Sequence, residues 1–443
     1  VLQQRTLNNG TTTGTMGLTV WPGGKPAANI KYLAAGLDHA PGGDGTMANP
    51  YHDMMQALHA LAADAVAAEE ASSVSDYKGG GEIHLLEGEH SYGGQTYSLQ
   101  TATTQRYVTI RPAAGLTKSE VFITRSAPTG SPYWGGGLGV SRVHLQDVTI
   151  DNTDCADEYY ENKLNYSVGL SDSDPRGILC DRGGIQGSNP SVNGALGTAN
   201  SDYLWVDDSE FIGAGRLSRA TSTGAFYDTG GGVSGWENVY ATQVKLSNTQ
   251  NGFNHRVRLV RDSEVINIGS DAFSGANVVI NSSVDGIDPT GSAPEGELES
   301  AGYHPDVFQF HANSHTGFVL DNYIYYGVKA TNVRAQGFFA NGLCDATLNN
   351  VAFVNIVLEK SPQSGDEDTF WHRSQFGNLV GMDHVLMWHI TSNQLLGWGL
   401  PRYHNDGTES YTNVSVRAST FESFSYGTDS DGMCDGYVGQ DPT

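Results

Sequence analysis

The residues of this chain best suited to chemistry recur in one short pattern: a polar position, a small residue and then phenylalanine. The pattern occurs at residues 224–226, 251–253, 271–273, 306–308, 336–338 and 368–370. Its intervals are irregular, roughly 20–35 residues, as in a repeat fold whose loops carry insertions. We expect each Phe to stack on the next in the interior, with the polar residue at the start of a strand.

Three of the polar positions are carboxylates, at Asp271, Asp306 and Asp368. If consecutive segments form neighbouring strands about 4.8 Å apart, the charges of Asp271 and Asp306 repel each other. A shared proton, a cation such as Ca²⁺ or a nearby Arg would relieve this repulsion; no other cofactor is expected. Asp306 and Asp368 would lie two strands apart, near the ~6.5–9.5 Å of an inverting acid and base pair. We predict catalytic roles for all three, with a structural polar ladder as the alternative.

A second set of residues should face outward beside the Phe positions, because side chains alternate along a strand. Arg pairs with carboxylate or sulfate, and aromatic rings stack on sugar rings, so this face predicts a strip that binds an anionic glycan. The outward set is Asn254, Arg256, Ser274, Gln309, His311, Phe339, Asn341, Trp371 and Arg373.

Individual roles follow from residue type and position. His311 lies on the same strand as Asp306 and is the candidate general base, with Tyr303 as a proton donor. Lys329, on the repeat after Asp306, is a second candidate base. The predicted substrate-binding residues are Asn251, Arg256, Gln309, Lys329, Gln336, Trp371 and Arg373.

The composition limits the classes of partner. The chain has 443 residues, with 24 Lys+Arg against 49 Asp+Glu, so its net charge is −25. Nucleic acid as the main partner is excluded, because that requires clustered basic residues. No apolar run approaches the ~18 residues of a membrane span, so no membrane insertion is expected. Four Cys are too few for a disulfide scaffold.

The elements that must position these residues begin with a helix. Asn49 and Pro50 suit the start of a helix, and Met54, Leu58 and Leu61 recur at helical spacing, so a helix is predicted over about 50–70.

After the helix, the hydrophobic period changes to that of strands. From there, an apolar pair, an Asp or Asn turn and a short strand recur, for example at 145–150, 206–211, 260–265 and 320–324. Asp and Asn tolerate left-handed turns and can hydrogen-bond to residues stacked above and below.

The helix, the strand at 83–88 and the Val-Thr-Ile-Arg strand at 108–111 resemble the start of the pectin-lyase-like superfamily. The resemblance implies an all-β fold, a single-stranded right-handed parallel β-helix with an N-terminal amphipathic helix capping the first coil. We predict an extended arm over 1–30, the β-helix over 31–425 and a tail over 426–443.

Many members of this superfamily cleave or bind polysaccharides, and some are virion tailspikes or adhesins. The resemblance implies a polysaccharide hydrolase or lyase with its groove on one strand face. Hydrolysis would use the three Asp residues, and β-elimination would use His311, Lys329 or Tyr303. The alternative is a glycan-binding tailspike, fibre or adhesin, forming a homotrimer or larger assembly. A β-helix without a ligand is the third hypothesis. The first two place the protein outside the cell or on a virion or cell surface.

Overall fold

The computed structural model describes strands along most of the chain and one helix. The described residues are 2–4, 17–19, 29–36, 42–71, 81–91, 108–124, 138–140, 143–151, 185–187, 203–213, 224–227, 238–249, 251–254, 257–289, 305–311, 319–341, 346–361, 373–375, 379–393, 395–399, 410–421 and 423–427.

The described residues form one helix and 33 strands. The helix α1 spans Met54–Ala71. The first strands are β1 (Leu2–Gln4), β2 (Gly17–Thr19), β3 (Ile30–Leu33), β4 (Glu82–Leu85), β5 (Gly88–Ser91), β6 (Val108–Pro112), β7 (Val121–Thr124), β8 (Leu138–Val140), β9 (Val143–Gln146), β10 (Thr149–Asp151), β11 (Ile185–Gly187), β12 (Tyr203–Asp207), β13 (Glu210–Ile212), β14 (Gly224–Tyr227), β15 (Asn238–Thr242), β16 (Lys245–Ser247) and β17 (Asn251–Asn254). The remaining strands are β18 (Val257–Arg261), β19 (Glu264–Ile268), β20 (Phe273–Ser274), β21 (Val278–Ile280), β22 (Ser283–Ile287), β23 (Asp306–His311), β24 (Val319–Tyr326), β25 (Lys329–Val333), β26 (Gln336–Asn341), β27 (Ala346–Lys360), β28 (Arg373–Gln375), β29 (Leu379–Ser392), β30 (Leu395–Gly399), β31 (Ser410–Thr412), β32 (Ser415–Arg417) and β33 (Ser423–Gly427).

The strands stack in parallel on three faces. Face 1 comprises β3, β4, β6, β9, β12, β15, β18, β21, β24, the first parts of β27 and β29, and β31 and β32. Face 2 comprises β5, β7, β10, β13, β16, β19, β22, β25 and the second parts of β27 and β29. Face 3 comprises β8, β11, β14, β17, β20, β23, β26, β28, β30 and β33.

Successive circuits of the chain build these faces. One circuit runs from β23 on face 3 through β24 on face 1 and β25 on face 2, then returns to face 3 in β26, which pairs with β23. Faces 1 and 2 together form a 21-stranded sheet, because β27 and β29 run through both. The predicted mostly-β, parallel solenoid is confirmed. Its right-handed sense, which parallel crossovers favour, and the division into arm, solenoid and tail stay predictions.

Several Asp and Asn turns of the sequence pattern form the corner between faces 1 and 2, whereas Asn322 of the 320–324 segment lies within β24. From β9 onward, the corner residue has a positive φ between 44° and 66°, the left-handed conformation that Asn, Asp and Gly tolerate best. This left-handed column consists of Asp147, Asp208, Gln243, Asp262, Asn281, Gly327, Asn355, His389 and Ala418. The side chain directly after the turn bonds to the neighbouring circuit. The Ser263 hydroxyl oxygen accepts a hydrogen bond from the Val244 amide at 3.1 Å.

The predicted aromatic ladder is present on the inner side of face 3. Phe253, Phe273, Phe308 and Phe338 are fully buried and stack in sequence, with centroids 5.3–6.1 Å apart. The ladder meets aromatic rings from face 1, since Phe338 lies 4.6 Å from Phe353. Gly252, the small residue of one repeat, has no room for a Cβ, which would lie 2.3 Å from the Ala272 carbonyl oxygen. Close stacking of the turns therefore explains the small middle residue of the pattern there.

The helix α1 packs against the first circuit. Its residues Met54, Leu58 and Leu61 are buried in the same core cluster as Leu33 and Ile83. The Asp53 carboxylate accepts a 2.7 Å hydrogen bond from the Gln56 amide and so caps the start of the helix. Within the described part of the chain, no helix is long and apolar enough to cross a membrane.

Several sequence predictions fall outside the described residues. In the predicted arm, the described residues are β1 and β2, which pair with each other antiparallel, and residues 29–30, where β3 begins. The four cysteines, most of the acidic insertion that precedes Asp306 and the last 16 residues, 428–443, are likewise outside the described ranges.

Candidate functional site

The polar positions before the Phe ladder form a buried column. Asn251, Asp271, Asp306 and Gln336 are each at most 8% exposed. Two of them hydrogen-bond to the backbone of the next circuit: Asn251 Oδ1 accepts from the Asp271 amide at 3.3 Å, and Asp271 Oδ1 accepts from the Asp306 amide at 3.0 Å. These side chains therefore tie consecutive circuits together where β17, β20 and β23 begin.

Burial determines the ionisation of Asp306. The residue is fully buried, and desolvation raises the pKa of its carboxyl well above its ordinary value. The neutral form is therefore favoured, which removes the charge repulsion with Asp271 that the sequence implied. Among the described residues, no group of three or more His, Cys, Asp or Glu could hold a metal ion.

The outer side of face 3 is covered where the sequence predicted an open, substrate-binding strip. Ser274, Gln309 and Phe339 are at most 4% exposed, and Ser274 Oγ donates a 3.1 Å hydrogen bond to Gln309 Oε1. The expectation of a solvent-facing groove is wrong at these three positions. Side-chain alternation predicts the direction of these side chains but not how far they are exposed.

The other predicted site residues divide into two groups. Lys329 lies on the outer side of face 2, exposed and opposite Ser283, so the register does not bring it to the column on face 3. For His311 and Arg373 only the strand backbone is described, and Tyr303, Arg256, Asp368 and Trp371 lie outside the described residues. The register pairs Gln375 with Phe339, which places Ser374, not Phe370, opposite Phe338.

An exposed surface lies instead on the outer side of face 1, and we call it the face 1 surface. It consists of two rows of outward side chains, one at each alternate position of the strands. The first row is Glu82, Thr109, His144, Trp205, Tyr240, Leu259, Val278, Ile324, Ala352 and Leu386. The second row is Gln146, Asp207, Thr242, Arg261, Ile280, Tyr326, Val354, Trp388 and Arg417.

Trp205 is the best-positioned ring of this surface. Its indole stacks on His144, with ring centroids 4.4 Å apart and an interplanar angle of 19°. Its Nε1 donates to Thr242 Oγ1 at 3.2 Å, and Thr242 in turn donates to the Asp207 carboxylate. Trp205 is nevertheless 41% exposed. The structure thus holds a flat aromatic ring at fixed orientation, open to solvent and beside a carboxylate.

A charged cluster lies at the N-terminal end of the same surface. The buried Glu82 carboxylate contacts His84 Nε2 at 2.8 Å and the Arg111 guanidinium at 2.9 Å. The Tyr32 ring meets the His84 ring edge-on, with centroids 5.5 Å apart. Buried carboxylates need such partners, so the cluster fixes the outer side of the first circuits next to the exposed rows.

The C-terminal half of the surface is apolar. Ile324, Tyr326 and Trp388 are 44–46% exposed, and Ile324 lies opposite Val278 in the next circuit. These exposed side chains lie within two circuits of one another on one face, and large exposed apolar patches mark contact sites.

The sequence carried a signal for this surface besides the Phe repeats. In several circuits an Asp or Asn turn follows the face 1 strand, and because side chains alternate, the positions one and three residues before the turn face outward. Before the turn at Asp208 these positions are Asp207 and Trp205, while Val206 between them is buried.

Among known proteins, solved structures resemble this chain. No family model matches the chain, and no curated protein is significantly similar to it. Two crystal structures of a GH136 lacto-N-biosidase from Eubacterium ramulus are similar in structure, one native and one a selenomethionine derivative. Both are 11% identical to this chain; the TM-scores are 0.43 and 0.40, over 88% and 89% of this chain and 67% of the other.

Proposed function

We propose that the protein binds a glycan along the face 1 surface, with Trp205 as the main stacking platform. The observation that carries the proposal is the immobilised, half-exposed indole of Trp205, which His144 and Thr242 hold in place. Sugar rings present C–H groups to flat aromatic faces, and a ring already fixed by its neighbours loses little conformational entropy when a ligand binds.

The geometry of a parallel stack suits an extended chain of sugars. Consecutive circuits lie about 4.8 Å apart, close to the length of one sugar ring. Side chains of successive circuits can therefore contact successive sugars. Trp205 and Tyr240 are in adjacent circuits, while Tyr326 and Trp388 lie two circuits apart farther along the surface. Polar side chains between the rings, such as Gln146 and Asp207, can hydrogen-bond to sugar hydroxyls.

The proposal includes cleavage of the bound polysaccharide. Asp207 is partly accessible and stands beside Trp205 on the same strand, whereas Asp271 and Asp306 are buried. Asp207 is therefore the described carboxylate best placed to reach a glycosidic bond. Hydrolysis and β-elimination are distinguished by their products, since elimination alone forms an unsaturated product that absorbs ultraviolet light.

The binding test is affinity gel electrophoresis over a panel of soluble polysaccharides, followed by titration calorimetry with the best ligand. We expect Trp205→Ala to weaken binding at least about tenfold, a loss of about 1.4 kcal/mol. The matched control is Phe122→Ala, which removes a partly exposed ring from face 2 and should leave affinity unchanged. Equal binding by Trp205→Ala and wild type would refute the platform.

A second candidate function is supported by the apolar half of the face 1 surface. Ile324 and its neighbours Val278 and Ile280 are aliphatic, which favours protein contacts over sugar stacking. This supports the alternative of a glycan-binding fibre or adhesin built from several copies of the chain. Light scattering should then give a mass above that of one chain, and Ile324→Lys should restore the monomer, whereas Val357→Lys on face 2 should not. A strictly monomeric wild type would exclude this second candidate.

A further inference from the structure

We infer that the glycan which crosses Trp205 is uncharged there, without uronate or sulfate groups. This inference rests on the proposed function and specifies its substrate class. It departs from the anionic ligand that the sequence alone suggested, and it follows from the charges that surround the platform.

The first observation is the carboxylate next to the ring. Asp207 lies two residues after Trp205, on the same outward side of β12. Its carboxylate accepts a hydrogen bond from the Thr242 hydroxyl, and the same hydroxyl accepts the hydrogen bond from the indole of Trp205. A uronate or sulfate stacked on Trp205 would therefore lie close to a like charge. The hydroxyl groups of an uncharged sugar can instead donate to this carboxylate, and hydrogen bonds to a charged acceptor are stronger than neutral ones.

The second observation is that two cations described near the platform, Lys118 and Arg261, have acidic partners. The Lys118 ammonium contacts Asp208 at 2.7 Å, beside the end of β12. Two circuits away, Arg261 contacts Asp262 at 3.3 Å. Each pair is nearly neutral as a unit, so neither Lys118 nor Arg261 offers its full charge to an anionic ligand.

Other cations described on the face 1 surface also have acidic or polar partners; Arg417, near the C-terminal end, donates to Ser415 Oγ at 2.9 Å. At the N-terminal end, Arg111 contacts the buried Glu82 at 2.9 Å. On the strand after Tyr240, the Arg258 guanidinium donates to the side-chain oxygen of Asn277 at 3.3 Å. Binding an anion would require these contacts to be exchanged, which reduces any gain from the new ion pair.

The test compares one polysaccharide in two charge states. Soluble β-glucan and galactomannan are each prepared unmodified and with part of their primary alcohols oxidised to carboxylates, and binding is measured at low and at high salt. We expect oxidation to weaken binding at least about fivefold at low salt. Part of this loss should be recovered at high salt, because salt screens the repulsion between Asp207 and the new carboxylates.

Two variants assign the effect to the platform. Asp207→Asn keeps an oxygen that can accept from Thr242 but removes the charge, so it should reduce the difference between the two forms of the polysaccharide. Glu264→Gln removes one exposed negative charge from face 2 and should leave the difference unchanged. A uniform effect of net charge would make the two variants equal and would overturn the inference.

The outcomes separate this inference from the proposed function. Oxidised polysaccharide that binds as well as or better than the unmodified form, through Trp205, would overturn the uncharged substrate and leave glycan binding intact. Failure of every polysaccharide to bind, in either form, would overturn the proposed function and the inference together.

Discussion

Trp205 and His144 stack with ring centroids 4.4 Å apart, although 61 residues separate them in the chain. The register pairs them directly across β12 and β9. His144 thereby supports one face of an indole that is 41% exposed, and this relationship gives the first prediction.

Removing the support should weaken glycan binding without removing the platform. An aromatic pair contributes about 0.5–1.5 kcal/mol beyond its buried area, so His144→Ala should weaken binding about 2- to 10-fold through lost orientation of Trp205. Titration calorimetry measures the effect, and His144→Phe should restore most of it. If His144→Ala abolishes binding as fully as Trp205→Ala, then His144 touches the ligand itself.

The second prediction concerns the buried carboxyl of Asp306. Its pKa is raised in the folded protein by desolvation. Below the unfolded pKa of about 3.9, both states are protonated, and above it the unfolded state loses the proton first. The contribution of Asp306 to stability is therefore fully present below about pH 3.9 and is lost as the pH rises toward the folded pKa.

Asp306→Asn should remove this pH dependence. We expect the variant to match the wild type at low pH and to be more stable at neutral pH, measured by urea denaturation across the range. The matched control is Asp285→Asn, an exposed carboxylate on face 2. A wild type that gains stability over the variant as the pH rises would show that Asp306 is ionised in the folded state.

The third prediction concerns the aromatic ladder. Phe308 is fully buried and contacts Phe273, Phe338 and Tyr325. Because the rings on either side are fixed by their own circuits, the cavity left by Phe308→Ala cannot collapse, and we expect a loss of about 3–5 kcal/mol in the free energy of unfolding. Phe122→Ala, at a partly exposed position of face 2, should cost much less. Comparable losses for the two would mean that the ladder contributes no special stability.

The fourth prediction concerns the left-handed column. Gly327 has a φ of 66°, and a Cβ there would lie 2.8 Å from Asn281 Oδ1. Gly327→Ala should therefore destabilise the protein by about 1–2 kcal/mol. Gly36→Ala is the matched control, since a Cβ at Gly36 meets nothing within 4 Å. Thermal unfolding of both variants gives the comparison; an unchanged midpoint for Gly327→Ala would contradict the strain.

Local pattern alone determined much of the fold. The Asp and Asn positions between apolar pairs predicted the corner, because few other residues tolerate a left-handed conformation there, and Asn281 and Asp262 adopt it. The repeated Phe predicted the inner ladder, because side chains alternate along a strand and identical positions stack in a parallel repeat. The spacing of Leu58 and Leu61 predicted a helix, and both residues are buried in α1. The role of this helix as a cap stays a prediction.

Only the tertiary structure decided which outer side stays open. Alternation places Gln309 and Trp205 on outward sides alike, but Gln309 is 3% exposed and Trp205 is 41% exposed. Likewise, the sequence shows that Asp306 is acidic but not that it is fully buried, and burial is what favours its neutral form. Direction of a side chain is a local property set by strand geometry. Exposure and ionisation depend on segments far away in the chain, and so the site could be located only after the fold was known.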